Sequence, residues 1–361
     1  MNRTIITVTG IRPDFIRMSK IFKALDKDFN HVLIHTGQHY DKLLSGAFFK
    51  DLKIREPDFN LKVGGKNKEH FHQTERLSSK LIELIRAKNL KPDLILFLGD
   101  SNSVVSSVSL RKEGYRIGHI EAGMRSGDKR MLEEINRTVC DHCSDYHFVY
   151  HAKYKEKLLK ENLPAENIYI VGNTIVEVCK EIELPKQKSK DYILLDIHRP
   201  ENFKYPKRLE NIIEYANLCA EKYNVPVKML KFKRTINSLK EYGIDKGGIQ
   251  LIDLMSYKEF VTKQYNALFI ISDSGTAQEE PALLNTPVIV PRDFTERPES
   301  VTSGCSFMID VNTKPSKFQP NNSSWDKSLA WVESKPSMKK GWLGNGKTSE
   351  RIITAIKKIL A

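Results

Sequence analysis

The chain has 361 residues, of which 40% are hydrophobic and 29% charged, and a formal net charge of +13. A chain of this length outgrows one core, so two domains are expected, and the balance is that of an ordinary globular protein. No run approaches the ~18 apolar residues of a membrane span, and no basic stretch is interleaved with aromatics, so neither a membrane nor nucleic acid is expected as a partner.

Much of the positive excess is Lys on predicted helix faces, as in AKYKEKLLK (152–160). The N-terminus reads as a first strand and not as a signal peptide, so a cytoplasmic location is expected. Five cysteines, an odd number, read as reduced thiols. Cys140 and Cys143 form a lone CxxC around His142; without a second pair the i, i+3 spacing suits a buried helix face, and no metal is expected.

The first strand-like run is TIITVT (4–9), followed by GIRPDFIR (10–17). Arg12 and Arg17 are placed to reach a phosphate beside the N–H groups of a helix start, although a plain charged loop fits as well. The absence of GxGxxG argues against a dinucleotide dehydrogenase, and no redox cofactor is expected. HVLIHT (31–36) is the next run, then an amphipathic helical segment (70–88) and DLILFLG (93–99). Asp100 stands at the end of that run, either as a site residue or, with Ser101, as a helix cap.

YRIGHI (115–120) leads into EAGMRSGDKRMLEEINR (121–137). Glu121 ends the strand, and Glu133 and Glu134 open the next helix, where carboxylates favour the dipole. A loop of about a dozen residues lets Glu121 and one helix-start Glu converge on one pocket, with Arg125 and Arg137 keeping them ionised or binding an anion. YHFVY (146–150) and IYIVG (168–172) complete the first series.

ELPKQKSKD (183–191) reads as a linker, and the alternation restarts with YILLDI (192–197), VPVKML (225–230), IQLID (249–253), ALFIIS (267–272) and TPVIV (286–290). His198, at a strand end in IHRPEN, is a proton carrier or phosphate partner. In SDSGTAQEEPALL (272–284), Ser274 and Gly275 expose N–H groups as an anion cradle, and Glu279 and Glu280 are placed to hold a ribose diol; capping with surface acids is the plainer reading. RDFTERPES (292–300) adds Arg292, Glu296 and Arg297. Tyr257 and Phe260 offer a stacking face, but their spacing alone favours helix core. Residues 311–345 read as irregular, and GKTSERIITAIKKIL as a final helix.

This alternation predicts two doubly wound α/β domains with parallel sheets. Ligands of such sheets sit at the carboxyl ends of the strands, so two facing domains would place the site in the cleft between them. Strand-end acids, one His, several Arg and a helix-start cradle describe a site for a nucleotide sugar or phosphate ester.

Eight blocks in order, GIRPDFIRM, TGQHYDKLLSGAFF, GDSNS, GHIEAGMRSGDKRMLEEINR, VGNTIVEV, IHRPEN, SDSGTAQEE and RDFTERPE, give the chain a specific likeness. It resembles the non-hydrolysing UDP-N-acetylglucosamine 2-epimerases over roughly residues 5 to 310 and the last helix. The resemblance implies a glycosyltransferase-B-like fold of two Rossmann-like domains around a central cleft. The first would span 1–182, joined by a C-terminal helix (347–361) that crosses back to it, and the second 183–346.

It implies a UDP-sugar substrate, no cofactor and a homodimer. It also implies inversion at C2 through loss of UDP to a 2-acetamidoglucal and its re-addition, for cell-surface polysaccharide precursors. By resemblance, Asp100, Glu121, Glu133 and His198 are catalytic. Arg12 and Arg17 contact the nucleotide, Ser274, Gly275 and Glu280 the diphosphate and ribose, Phe260 the uracil side, and Arg137 lies near the diphosphate; Arg297 belongs to the binding set.

The departures are Thr276 where a second glycine is usual, Phe232 where a His is frequent, Arg17 for Lys, and Pro281 for Ala, which would kink the segment. They bear on the exact sugar, and a 6-deoxy UDP-sugar is the alternative substrate. A glycosyltransferase of the same fold would not need three acids with a His, and a non-catalytic UDP-sugar binder would not need to retain them.

Overall fold

The computed structural model describes residues 3–37, 46–64, 70–315 and 323–361. Two compact units emerge: Met1–Glu181 with Trp342–Ala361, and Ile182–Gly341. Most of TGQHYDKLLSGAFF, residues 38–45, lies outside the described residues, as do 316–322 of the segment read as irregular.

The first unit carries a seven-stranded sheet of β1 (Thr4–Thr9), β2 (Asn30–His35), β3 (Phe59–Asn60), β4 (Leu94–Leu98), β5 (Ile117–Ile120), β6 (Tyr146–Val149) and β7 (Ile168–Ile170). Every pairing is parallel, in the order β3-β2-β1-β4-β5-β6-β7. The order reverses between β1 and β4, which makes the loops after those strands the switch point where doubly wound sheets bind ligands. Helix Arg12–Asp28 packs against the terminal helix Thr348–Ile359. Ile352, Ile353 and Ile356 are its buried stripe, and Thr348 Oγ1 ties its start to the carbonyl of Asn173 at 3.1 Å.

The second unit repeats the plan with β8 (Ile193–Asp196), β9 (Val227–Leu230), β10 (Gln250–Ile252), β11 (Ile270–Ser272), β12 (Val288–Val290) and β13 (Ser306–Met308), ordered β10-β9-β8-β11-β12-β13 and again parallel. Alternate residues of β8 serve two cores: Ile193 and Leu195 join one and Leu194 the other. A strand buried on both faces reads as an unbroken apolar run, which is why these strands were visible in the sequence. β3, only two residues long, and β13 were not read as strands. The linker segment is tied to the second unit through Lys188 Nζ, which donates to the carbonyls of Leu284 and Asn285 at 2.6 and 2.9 Å.

Two expectations fail. The segment 311–345 contains a helix, Ser324–Glu333, with Trp325 fully buried in the core against Tyr215 at 4.6 Å between ring centroids. Pro281 causes no kink: it falls in the first turn of the short helix Glu280–Leu284, where a proline's missing N–H costs no hydrogen bond.

Candidate active site

In the first unit, register decides which side chains meet. Leu98 pairs with Ile120 and Ile120 with Phe148, so Asp100, Glu121 and Tyr150 leave three neighbouring strands at one end of the sheet. Val8 pairs with Phe97, which brings the loop after β1 into the same row.

Glu121 is buried and adopts φ 73°, a left-handed backbone unusual for a residue with a side chain. Held strain of this kind concentrates at functional sites. Arg17 Nη1 donates to Glu121 Oε2 at 2.6 Å, Tyr150 Oη donates to the same oxygen at 3.1 Å, and Tyr150 Oη lies 2.7 Å from Thr174 Oγ1. Arg17, expected to reach a phosphate, places Nη1 on this carboxylate, and both partners are buried. Arg12 opens the helix Arg12–Asp28, with its guanidinium 5.5 Å from the centre of the Phe48 ring.

Asp100 is ion-paired with Arg137, and its carbonyl accepts from Asn136 Nδ2 at 2.9 Å. The capping reading fails for Ser101, which begins the next turn without a side-chain cap bond. Glu133 and Glu134 open the helix Leu132–Cys143 as expected, with different surroundings. Glu134 is buried, accepts from Ser126 and Gly127 N–H groups at 2.9 and 3.0 Å, and pairs with Arg137 at 2.9 Å. Glu133 is half-buried. Arg137 thus bridges two acids rather than facing open space. Arg125 does not serve Glu121 or Glu133: it pairs with Asp141 and Glu161, each at 2.7 Å.

In the second unit, Ser272 pairs with Asp196, which sets the His198 and Ser274 loops side by side past the strand ends. His198 Nδ1 is 2.9 Å from Asp196 Oδ1, and Asp196 Oδ2 accepts from Ser272 Oγ at 2.9 Å. The carboxylate orients the ring and claims the Nδ1 hydrogen, leaving Nε2 as its other polar atom. Burial opposes charge on His198, but Asp196 and Asp273 outweigh it and raise its pKa above the usual 6.5. Asp273 is fully buried and pins the loop by accepting from the N–H groups of His198 and Arg199, both at 3.0 Å. Phe232 packs on the His198 ring at 4.7 Å.

The cradle after β11 begins with Ser274 and Gly275. A Cβ on Gly275 would stand 2.5 Å from Arg297 Nη1 and 2.6 Å from Glu296 Oε1, so any larger residue would displace that ion pair. Arg297 itself is buried, donating from Nε to Glu279 Oε1 at 2.6 Å and pairing with Glu296. Arg297 thus ties Glu279 and Glu296 together beside Gly275. Glu280 is buried with Gln264 Nε2 donating to it at 2.7 Å. Phe260 is half-buried on the helix Tyr257–Asn266 and packs against the second core, while Tyr257 is buried.

Tyr150, Thr174, Asp196 and Asp273 complete these clusters and were missed. Tyr150 ends an apolar strand run, a position that marks site residues; the two aspartates were hidden inside runs read only as strand and loop.

Among the described residues, no helix is long and apolar enough to cross a membrane, and no group of three or more His, Cys, Asp or Glu is placed to hold a metal ion.

Comparison with known proteins places the chain in a family. A family model described as UDP-N-acetylglucosamine 2-epimerase matches residues 23–357. The UDP-N-acetylglucosamine 2-epimerase of Methanocaldococcus jannaschii is 34% identical, with 96% of each chain covered. The UDP-2,3-diacetamido-2,3-dideoxy-D-glucuronate 2-epimerase of Pseudomonas aeruginosa is 33% identical, covering 84% of this chain and 88% of that one. A crystal structure of the M. jannaschii enzyme in complex with UDP-GlcNAc and UDP superposes with a TM-score of 0.86 at 32% identity, covering 98% of this chain and 99% of that one. The chain therefore belongs to the UDP-N-acetylglucosamine 2-epimerase family, a family of isomerases with a glycosyltransferase-B-like α/β fold.

Proposed function

We propose that this protein interconverts UDP-N-acetylglucosamine and UDP-N-acetylmannosamine, supplying precursors for cell-surface polysaccharide. The observation that carries the reading is the strand-end row of Asp100, Glu121 and Tyr150, with Arg17 on Glu121, in a chain of this family. Inversion at C2 needs a proton removed from one face and returned to the other, hence two proton carriers. In the proposed reaction a carboxylate takes the C2 proton as the C1–O bond to the diphosphate breaks. The electrons form the C1=C2 bond of a 2-acetamidoglucal. A second carrier then protonates C2 on the opposite face while UDP re-adds at C1.

Asp100, Glu121 and Glu133 are the proposed carriers. His198, with Nδ1 on Asp196 and a raised pKa, is suited to donate from Nε2 to the departing diphosphate. Ser274 and Gly275 supply donors to the diphosphate, Glu280 the ribose contact and Phe260 the uracil side, with Arg12 as a further nucleotide contact. Arg137 and Arg297 act by holding Asp100 and the cradle in place.

The test is incubation with UDP-N-acetylglucosamine in D2O, followed by proton NMR. The expected result is loss of the C2 proton signal and appearance of UDP-N-acetylmannosamine, both abolished in Glu121→Gln. Free N-acetylmannosamine with UDP would overturn the non-hydrolysing reading. An unchanged spectrum would overturn the substrate and send the assay to 6-deoxy and diacetamido UDP-sugars, the latter suggested by the P. aeruginosa relative.

A further inference from the structure

β5 carries one polar side chain that the proposed reaction does not use. His119 is completely buried two residues before Glu121. Its Nε2 lies 2.7 Å from the carbonyl oxygen of Gly99, the residue before Asp100, and its Nδ1 lies 2.7 Å from Asp141 Oδ1. A carbonyl oxygen only accepts, so Nε2 carries a hydrogen. Asp141 Oδ2 already accepts from Gly123 N–H at 3.1 Å and from Arg125 Nη1 at 2.7 Å. That carboxylate is engaged throughout as an acceptor, so Nδ1 carries a hydrogen as well. A histidine donating from both nitrogens is an imidazolium.

The groups around it agree. Asp141 and Cys140 face it from the helix Leu132–Cys143, Arg125 stands behind Asp141, and His147 on β6 donates from Nε2 to the Asp141 carbonyl at 2.7 Å. Burial works against charge on His119, but Cys140 and Asp141 more than offset it, and its pKa lies well above 6.5. Asp141, despite burial, is held below the usual carboxylate range by His119 and Arg125.

We infer that His119 is a positioning residue, a buried imidazolium that fastens the Asp100 turn after β4 to the Glu121 turn after β5 and so sets the spacing of two proton carriers. Its Nε2 bond grips the backbone immediately before Asp100, and its Cα is two residues before Glu121 in the chain. Through Asp141 the same ring also secures Gly123 and Arg125, the loop that leaves Glu121. Ordinary strand pairing stops at Leu98 and Ile120, so past that point this side chain is a tie between the two turns beyond the Gly99 N–H bond to the Ile120 carbonyl at 3.0 Å. The activity readout of this inference rests on the proposed epimerisation; the protonation readout does not.

Two measurements test it on the full-length protein. Selective 15N-histidine labelling should show His119 with both ring nitrogens protonated up to pH 8; a neutral tautomer there would overturn the clamp whatever the enzyme catalyses. In His119→Gln, kcat for C2 exchange should fall about 100-fold, the scale expected when reacting groups shift by about 1 Å. KM and the calorimetric affinity for UDP should stay within about threefold, since the cradle residues of the second unit are untouched. An unchanged kcat in a folded His119→Gln protein would also sink the inference. If that variant fails to fold, the labelling result decides alone. Wild-type protein inactive toward UDP-N-acetylglucosamine would instead mark a failure of the proposed function.

Discussion

Asp14 shows how a single residue couples the site to stability. It sits in the first turn of Arg12–Asp28, 5% exposed, accepting from the N–H groups of Gly10 and Ile11 at 2.9 and 3.2 Å. Burial pushes its pKa up from 3.8 to about 7; those two bonds oppose the shift, and Asp100 and Glu121 add to it. The folded chain therefore keeps a proton that the unfolded chain has already released. Stability should fall as pH rises from about 4 to about 7, by ~4 kcal/mol in all, and level off above that. Asp14→Asn keeps an acceptor for both N–H groups and removes the titration. Urea denaturation at pH 5 and 7.5 should show that slope in the wild type and lose most of it in the variant; equal slopes would refute the assignment. In the sequence Asp14 passed as an unremarked letter of GIRPDFIR. Burial, which sets its proton affinity, is not a local property.

At the scale of elements, the helix Ser324–Glu333 marks what periodicity misses. Its start is built of Ser and Asp, and Ser323 Oγ accepts from the Asp326 N–H at 3.2 Å. These residues compete with regular structure when unpartnered, so the segment looked like loop. What holds the helix is Trp325, whose Nε1 donates to the Thr313 carbonyl at 3.2 Å while the ring fills the core beside Tyr215. Trp325→Ala should cost about 3–5 kcal/mol. Calorimetry should show a melting transition of the second unit lowered accordingly, and an unshifted transition would refute the packing argument. The strands behaved differently. β4 and most of β8 are continuous apolar runs because both faces are buried, so their places were legible to within a residue or three.

Across the whole molecule, the terminal segment is the element whose membership sequence order hides. Trp342–Ala361 belongs to the first unit, although the residues before it build the second. Besides the Ile352, Ile353 and Ile356 stripe, Arg351 Nη1 donates to the Val171 carbonyl at 3.2 Å and Lys357 pairs with Asp28 at 3.0 Å. Burying three isoleucines contributes roughly 1.5–3 kcal/mol each, comparable with the ~5–15 kcal/mol net stability of a domain. A chain ending at residue 341 should lose the cooperative unfolding of the first unit and aggregate. A soluble truncated protein with that transition intact would refute the assignment.

Much of the candidate site was readable because its residues follow strands. Once a run is recognised as a buried parallel strand, its carboxyl end is a functional address, and Asp100, Glu121, His198 and Ser274 all stand at one. Composition and local period determine that much, since they act between residues a few positions apart. The partner of each charge was decided by the tertiary structure. Arg17 meets Glu121 across 104 positions and His119 grips Gly99 across 20, through strand order and register. A period-2 or period-3.6 pattern says which face a residue takes. Only the packed sheet says what stands opposite, and whether water is excluded strongly enough for an acid to keep its proton or an arginine to be spent inside.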